Sequence, residues 1–227
     1  MDAAVDQRWT GNRVLSDRNG GALQQVFQKS GFEPGAAELP IPGLPDRNAN
    51  WSTSRDGRWM MYRSQGAIWA MPAFGDRKPF RYLETPFATL FSQISPDGKW
   101  ISYNTAESGV FEVYVRAFTG IPATTESKIR ISSGGGFVPA WSGDSSELFY
   151  IGANSKLYAA QIASAARNPS TFEPTELFST CAGHYQTGLA TQGREYDAAP
   201  DGKRFLFACR GAEVGTYSVA VNWMSAQ

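Results

Sequence analysis

The chain has 227 residues, 42% of them hydrophobic, enough to bury the core of one or two ordinary domains. Its 21 basic and 21 acidic residues cancel, so it lacks the basic surplus of a nucleic-acid-binding protein. One histidine and two cysteines argue against a histidine-based metal site and a disulfide scaffold. The 23 glycines, 13 prolines and 13% aromatic residues favour many short strands separated by turns.

The chain contains no recognisable targeting segment. Residues 1–8 have neither the basic start nor the apolar stretch of a signal peptide. No apolar run approaches the ~18 residues of a transmembrane helix, so we expect no membrane insertion. The compartment stays open: the chain is cytoplasmic as written, and extracytoplasmic if it belongs to a membrane-anchored parent.

The first predicted element is a weak copy of a motif that recurs along the chain. Trp9-Thr10-Gly11-Asn12 matches Trp141-Ser142-Gly143-Asp144, and stronger copies are centred on Asp56, Asp97 and Asp201. An apolar residue lies four positions after each Asp and an aromatic residue six positions after it: Met60 and Tyr62, Ile101 and Tyr103, Leu148 and Tyr150, Phe205 and Phe207. This two-residue step predicts a strand after each turn.

The recurring Asp-Gly pair is interpreted as turn chemistry and not as a calcium or catalytic site. Asp caps its own turn through a side-chain oxygen, and Gly tolerates the positive φ that tight turns require. Ser145 in place of Gly and Asn12 in place of Asp fit this interpretation.

Three further strands are predicted in each repeat. A short inner strand precedes the turn, as at 91–94, and an outer strand closes the repeat at 81–83, 129–131 and 176–178. Between them lies a third strand, at Val26-Phe27, Ile68-Trp69, Val113-Tyr114, Leu157-Tyr158 and 219–221. An insertion around 163–169, with at most one helical turn, lengthens the fourth repeat.

Repeats of about 40–45 residues with several strands each are typical of β-propeller blades. The sequence therefore predicts an all-β fold, a single β-propeller domain with about five four-stranded blades. The blades are expected at 1–45 (degenerate), 46–86, 87–133, 134–183 and 184–227 (incomplete). Either five blades close a small ring, or the chain is an arc of a six- or seven-bladed propeller, whose open strand edges would favour self-association.

The turn Ser95-Pro96-Asp97-Gly98-Lys99 and the strands after it resemble the TolB-like, WD-like β-propeller repeats of bacteria. The stretches 95–118, 134–142 and 219–223 resemble more closely the C-terminal propeller that follows serine/threonine protein kinase domains in some soil bacteria. The resemblance implies a non-catalytic module for protein–protein interaction or ligand sensing, forming the C-terminal part of a larger bacterial signalling protein. The chain itself contains no kinase motif.

A second hypothesis is the propeller of a prolyl-oligopeptidase-type serine hydrolase, which gates a separate catalytic domain. It predicts an α/β-hydrolase domain after Trp223. Because the sequence stops at Gln227, we favour the non-catalytic module.

Four residues form the predicted partner or ligand site: Phe87, Phe137, His184 and Tyr185. They lie in links from an outer strand to the next inner strand, and such links gather around one mouth of a propeller channel. We expect a protein or peptide there and no nucleic acid. No catalytic residue, metal or cofactor is predicted, because the chain has no Gly-x-Ser-x-Gly elbow and too few zinc ligands.

Three smaller features receive structural interpretations. Cys181 and Cys209 are predicted to be buried or half-buried thiols, with a disulfide as the alternative in an oxidising compartment. Glu195 and Asp197 are interpreted as a solvated strand edge. Gly134-Gly135-Gly136 is interpreted as a flexible turn between blades, because no helix follows it to bind phosphate.

Overall fold

The computed structural model describes residues 12–16, 25–29, 38–40, 49–123, 128–167, 173–181, 196–207 and 218–221. They form five antiparallel sheets and one short helix, α1 (Ile162–Arg167). In chain order, the strands of sheets 1 and 2 are β1 (Asn12–Ser16), β2 (Gln25–Lys29), β3 (Glu38–Pro40); β4 (Ala49–Thr53), β5 (Trp59–Ser64), β6 (Ala67–Pro72) and β7 (Phe80–Leu83). Those of sheets 3 to 5 are β8 (Thr89–Ile94), β9 (Trp100–Thr105), β10 (Glu112–Ala117), β11 (Lys128–Arg130); β12 (Gly136–Trp141), β13 (Glu147–Gly152), β14 (Lys156–Gln161), β15 (Thr175–Ser179); β16 (Tyr196–Ala198), β17 (Arg204–Phe207) and β18 (Ser218–Val221).

Within each sheet the strands follow one another in chain order, and sheets 2 to 5 stand side by side. The first strands of sheets 2 to 5 are neighbours in space: β4 contacts β8, β8 contacts β12, and β12 contacts β16. This arrangement, with inner strands grouped and outer strands pointing away, is that of β-propeller blades. The predicted third strands correspond to β2, β6, β10, β14 and β18. The predicted outer strands correspond to β7, β11 and β15.

The hydrophobic core described here is formed where sheets 2 to 5 pack against one another. Met61 and Ile68 of sheet 2 meet Ile101 and Tyr103 of sheet 3 in one buried cluster. Two further clusters join sheet 3 to sheet 4 and sheet 4 to sheet 5. The apolar and aromatic residues of the repeat are all buried: Met60, Tyr62, Ile101, Tyr103, Leu148, Tyr150, Phe205 and Phe207.

The two middle strands of sheets 2, 3 and 4 carry a stacked aromatic pair. In each case the repeat tyrosine of the second strand lies directly opposite an aromatic residue of the third strand. The ring centroids are 6.4, 6.0 and 5.3 Å apart in the pairs Tyr62–Trp69, Tyr103–Tyr114 and Tyr150–Tyr158. Cross-strand aromatic pairs of this kind stabilise a sheet in its correct register.

The predicted insertion contains α1, which is slightly longer than the single turn expected. Ile162 and Ala165 face inward and extend the cluster between sheets 3 and 4. Among the described residues no helix is long and apolar enough to cross a membrane.

Candidate functional site

Because the strands are antiparallel, the loops that join them lie at two opposite ends of the sheets. One end, the turn face, contains the Asp turns between the first and second strands. The other end, the link face, contains the links 84–88 and 131–135 between sheets and the hairpin turns 106–111 and 153–155. Backbone hydrogen bonds join the loops of the link face: Ala106 N–H donates to Ala88 O at 3.2 Å, and Gly136 N–H donates to Phe111 O at 2.8 Å.

The Asp turns are held by their own hydrogen bonds. In sheet 3, Asp97 Oδ1 accepts from Ser95 Oγ at 2.6 Å and from Lys99 N at 3.1 Å, while Ser95 Oγ accepts from Trp100 N at 3.0 Å. The same set recurs around Asp56 and Asp144. This is the turn role predicted from the sequence, and no three described His, Cys, Asp or Glu side chains could hold a metal ion together.

Successive turns also bond to one another across the turn face. Arg55 N donates to Pro96 O at 3.3 Å, and Gly143 N donates to Pro200 O at 2.9 Å. Ser145, the residue that replaces Gly, accepts from the backbone N of Asp97 at 3.0 Å through its hydroxyl. A Cβ on Gly143 would lie 2.7 Å from Pro200 O, so only glycine fits this contact.

Phe87 is the predicted site residue that the structure places on the surface. Its side chain is 44% exposed on the link face. Thr85 Oγ1 donates to Phe87 O at 2.9 Å and accepts from Phe87 N at 3.3 Å, and Thr89 Oγ1 also donates to that carbonyl. These bonds fix the backbone that presents the ring to solvent.

Phe137 lies in the core instead of on the link face. It is 5% exposed and its ring centroid lies 6.0 Å from that of Phe111. The reason is an irregular register in β12 between Phe137 and Ala140, where Val138 adopts a φ of +50°. A bulge re-aims the side chains next to it. As placed, Phe137 supplies packing and no accessible surface for a partner.

Most of the remaining residues predicted to be of interest lie outside the described residues, and one of the two cysteines is not the free thiol expected. His184 and Tyr185 lie outside the described residues, as does Glu195. Cys181 is disulfide-bonded, so the expectation of a buried free thiol is wrong for this residue; the one other cysteine of the sequence, Cys209, lies outside the described residues.

A buried carboxylate missed by the sequence reasoning braces the link between sheets 3 and 4. Glu112 is 2% exposed; its Oε1 accepts from Gly134 N at 2.8 Å and from Gly135 N at 3.2 Å. Its other oxygen accepts from Ser132 Oγ, which in turn accepts from Val113 N at 2.8 Å. The expectation of a flexible turn is therefore wrong: the glycine link is held in place. The amino-acid composition of the link does not indicate this rigidity, because the carboxylate that binds its N–H groups belongs to Glu112 on β10.

The braced link forms one wall of a cavity of about 540 Å³ beside sheet 4. We call this cavity the tyrosine groove, because the stacked rings of Tyr150 and Tyr158 line it. Its other lining residues are Ser133, Gly134, Gly135, Gly152, Ala153, Asn154, Glu173 and Pro174. The close approach of its walls requires glycine, since a Cβ on Gly135 would lie 2.7 Å from the Cβ of Ala153.

The environment of the tyrosine groove is acidic and partly apolar. Burial raises the pKa of the Tyr150 phenol, and the neighbouring Tyr158, Glu112 and Glu173 raise it further. Asn154 Nδ2 donates to Tyr158 Oη at 2.8 Å, and Lys156 pairs with Glu176 at 2.6 Å. The groove therefore offers aromatic surface and negative charge to a ligand.

Comparisons with known proteins identify the fold. No protein-family model matches the sequence, and no curated protein matches it. Among solved structures, TolB from Acinetobacter baumannii is similar with a TM-score of 0.66 and 17% identity, over 93% of this chain and 49% of that one. A protein described as TolB from Agrobacterium tumefaciens gives 0.56 and 19%, over 81% and 60%.

A chain of the nidogen/laminin complex is also similar, with a TM-score of 0.53 and 12% identity, over 81% of this chain and 63% of that one. The chain thus spans about half to two thirds of the length of these structures. At such identities the likeness shows the fold alone. It confirms the expected architecture: the chain has a TolB-like β-propeller fold.

Proposed function

We propose that this chain is a non-catalytic β-propeller module that binds a protein or peptide partner on its link face. The observation that carries the proposal is a pair of exposed apolar side chains on neighbouring loops. Phe87 is 44% exposed and Val110 is 52% exposed, and the hydrogen bond from Ala106 to Ala88 joins their loops. Apolar side chains exposed together on a rigid surface are typical of protein-interaction sites.

The finer parts of the proposal rest on the sequence. The repeats resemble the propellers that follow bacterial serine/threonine kinases, which supports a place in the C-terminal part of a larger signalling protein. We propose that the five sheets act as one domain in that parent. Reading the gene upstream of Met1 tests this: a kinase domain in the same frame supports the parent, and a hydrolase domain downstream contradicts it.

A photo-crosslinking amino acid at position 87 tests the partner site in the source cells. The matched control carries the same group at Ile121, which is 62% exposed but lies at the turn end of sheet 3. We expect adducts with one defined protein from position 87 and not from position 121. Phe87→Ser and Val110→Ser should then weaken the binding of that purified protein about tenfold, the loss of an apolar contact of about 1.4 kcal/mol.

Three outcomes would contradict the proposal. They are equal adducts from both positions, unchanged affinity in a folded Phe87→Ser variant, and peptidase activity of the purified chain. Light scattering tests the self-association expected of an open arc: a monomer mass at high concentration would argue against it.

A further inference from the structure

The aromatic stacks of sheets 2 and 3 are each covered by a cation from their own outer strand. In sheet 2, the guanidinium of Arg81 lies 5.3 Å from the ring centroid of Trp69. In sheet 3, the ammonium of Lys128 lies 5.2 Å from the ring centroid of Tyr114. A cation over an aromatic face is attracted by the negative charge of the ring face.

Sheet 4 carries the same stack, but its nearby cation, Lys156, pairs with Glu176 and does not cover the rings. In the described part of the chain no Lys or Arg lies over the ring of Tyr150 or Tyr158. The residue of the outer strand opposite Tyr158 is Glu176, where sheet 2 has Arg81 opposite Trp69 and sheet 3 has Arg130 opposite Tyr114. Sheet 4 therefore presents an acidic residue at the position where its neighbours present a basic one.

The charges around this stack are not balanced within the described residues. Glu112 is almost fully buried behind the glycine link, and it accepts three hydrogen bonds but forms no ion pair with a described residue. Glu173, exposed on the lining of the tyrosine groove, forms none either. Both carboxylates help to raise the pKa of the Tyr150 phenol, which lines the groove, so the groove lies in their negative electrostatic field.

Tyr150 itself supplies an unused polar group. Its side chain is 3% exposed and lines the groove, yet its hydroxyl makes no hydrogen bond with a described residue. The groove therefore combines an aromatic stack, excess negative charge and a tyrosine hydroxyl that can accept a hydrogen bond.

We propose that the tyrosine groove binds a lysine or arginine side chain of the partner, which takes the place that Arg81 and Lys128 occupy in sheets 2 and 3. The cation lies against the stacked rings of Tyr150 and Tyr158 and pairs with Glu173. This inference rests on the proposed function, since it names the chemistry of the partner. It adds a polar anchor to the apolar contact at Phe87.

The test uses small probes, so that it does not depend on knowing the partner. N-acetyl-arginine methylamide and N-acetyl-lysine methylamide carry the cation, and N-acetyl-citrulline methylamide is the uncharged isostere of arginine. We expect the cationic probes to shift the NMR signals of groove residues such as Gly134 and Gly152. Citrulline should bind at least fivefold more weakly, and higher salt should weaken only the cationic probes.

Variants locate the binding in the groove. Glu173→Gln should weaken the cationic probes about fivefold, whereas Glu84→Gln removes the same charge from the link between sheets 2 and 3, outside the groove, and should change nothing. Glu176→Arg supplies the missing cation and should abolish binding, at least tenfold. Its control, Glu176→Gln, removes the same carboxylate without filling the place and should keep most of the affinity.

Equal binding of arginine and citrulline, or an unchanged affinity in a folded Glu176→Arg variant, would overturn the inference. Folding of each variant is checked by circular dichroism and thermal unfolding. The two proposals can fail separately. If a partner binds the link face with an affinity that Glu173→Gln and Glu176→Arg do not change, the proposed cation site is wrong and the proposed binding module stands. If the cationic probes bind the groove but no partner binds the link face, the cation site stands and the proposed link-face site is wrong.

Discussion

At the scale of single residues, the Asp of each repeat acts through hydrogen bonds that require its charge. Burial raises the pKa of Asp97, but hydrogen bonds from Ser95 and Lys99, the charge of Lys99 and the Ser145 hydroxyl outweigh it, so the pKa is lowered from 3.8. The pKa of Asp144 is lowered chiefly by its hydrogen bond from the backbone of Ser146. The folded state therefore prefers these residues ionised.

The lowered pKa makes the contribution of Asp97 dependent on pH. A carboxyl whose pKa falls on folding stabilises the protein above its unfolded pKa, and this stability is lost as the pH falls through the folded pKa. Asp97→Asn should cost about 1 kcal/mol at pH 7, after allowance for solvent exposure, and progressively less as the pH falls below 3.8. Urea unfolding across that range measures the difference.

The control for this prediction is Asp76→Asn, which removes the same charge at an exposed loop. There the carboxylate accepts a long bond from Lys78 N, at 3.5 Å, and pairs with the exposed Lys78 ammonium at 3.4 Å. An equal loss of stability in both variants, or a loss in Asp97→Asn that does not change with pH, would show that the turn bonds do not depend on ionisation.

At the scale of elements, the link between sheets 3 and 4 is rigid because a neighbouring strand satisfies its amides. Glu112→Ala would leave the N–H groups of Gly134 and Gly135 and the hydroxyl of Ser132 without their acceptor. We expect a loss of about 2–3 kcal/mol in the free energy of unfolding, together with faster hydrogen exchange at both glycines.

Glu112→Gln is the matched variant for this prediction, because its amide oxygen can still accept from the two glycine N–H groups. It should lose less than half as much stability as Glu112→Ala. If the two variants behave alike, the carboxylate position contributes charge or packing and not the acceptors that the geometry indicates.

The same element shows what a sequence can and cannot predict. The Asp turns and the buried positions four and six residues later are local patterns, so the strands and the propeller fold follow from them. The burial of Phe137 depends on the bulge at Val138, and the brace at Glu112 joins groups about twenty residues apart. The brace has no sequence spacing of its own, so the groove beside the braced link does not follow from the sequence.

At the scale of the whole molecule, stability is divided among the interfaces between neighbouring sheets. Sheet 5 packs on sheet 4 through Phe205, whose ring meets that of Phe149 edge-on at 4.9 Å. Phe205 is 1% exposed, whereas the next residue of the strand, Leu206, is 48% exposed. In an array of repeats, weakening one interface releases the unit beyond it before the others.

Phe205→Ala should therefore cost about 3–5 kcal/mol, because it removes a fully buried ring. Hydrogen exchange should rise first in β16 and β17 and last in sheets 2 and 3. Leu206→Ala, on the same strand but facing solvent, should change the free energy of unfolding by no more than about 0.5 kcal/mol. Uniform loss of protection across all sheets would show that the interfaces unfold as one unit.

The hydrogen bonds between successive Asp turns also determine where a tag can be inserted into the chain for cell-biological work. Because each turn from Arg55 to Pro200 touches the next, added residues there would displace several sheets at once. The loop at Gly75 and Asp76 is different: Gly75 has open space around it, and Asp76 is exposed. A fluorescent or affinity tag inserted between these two residues would leave both the partner surface and the tyrosine groove uncovered.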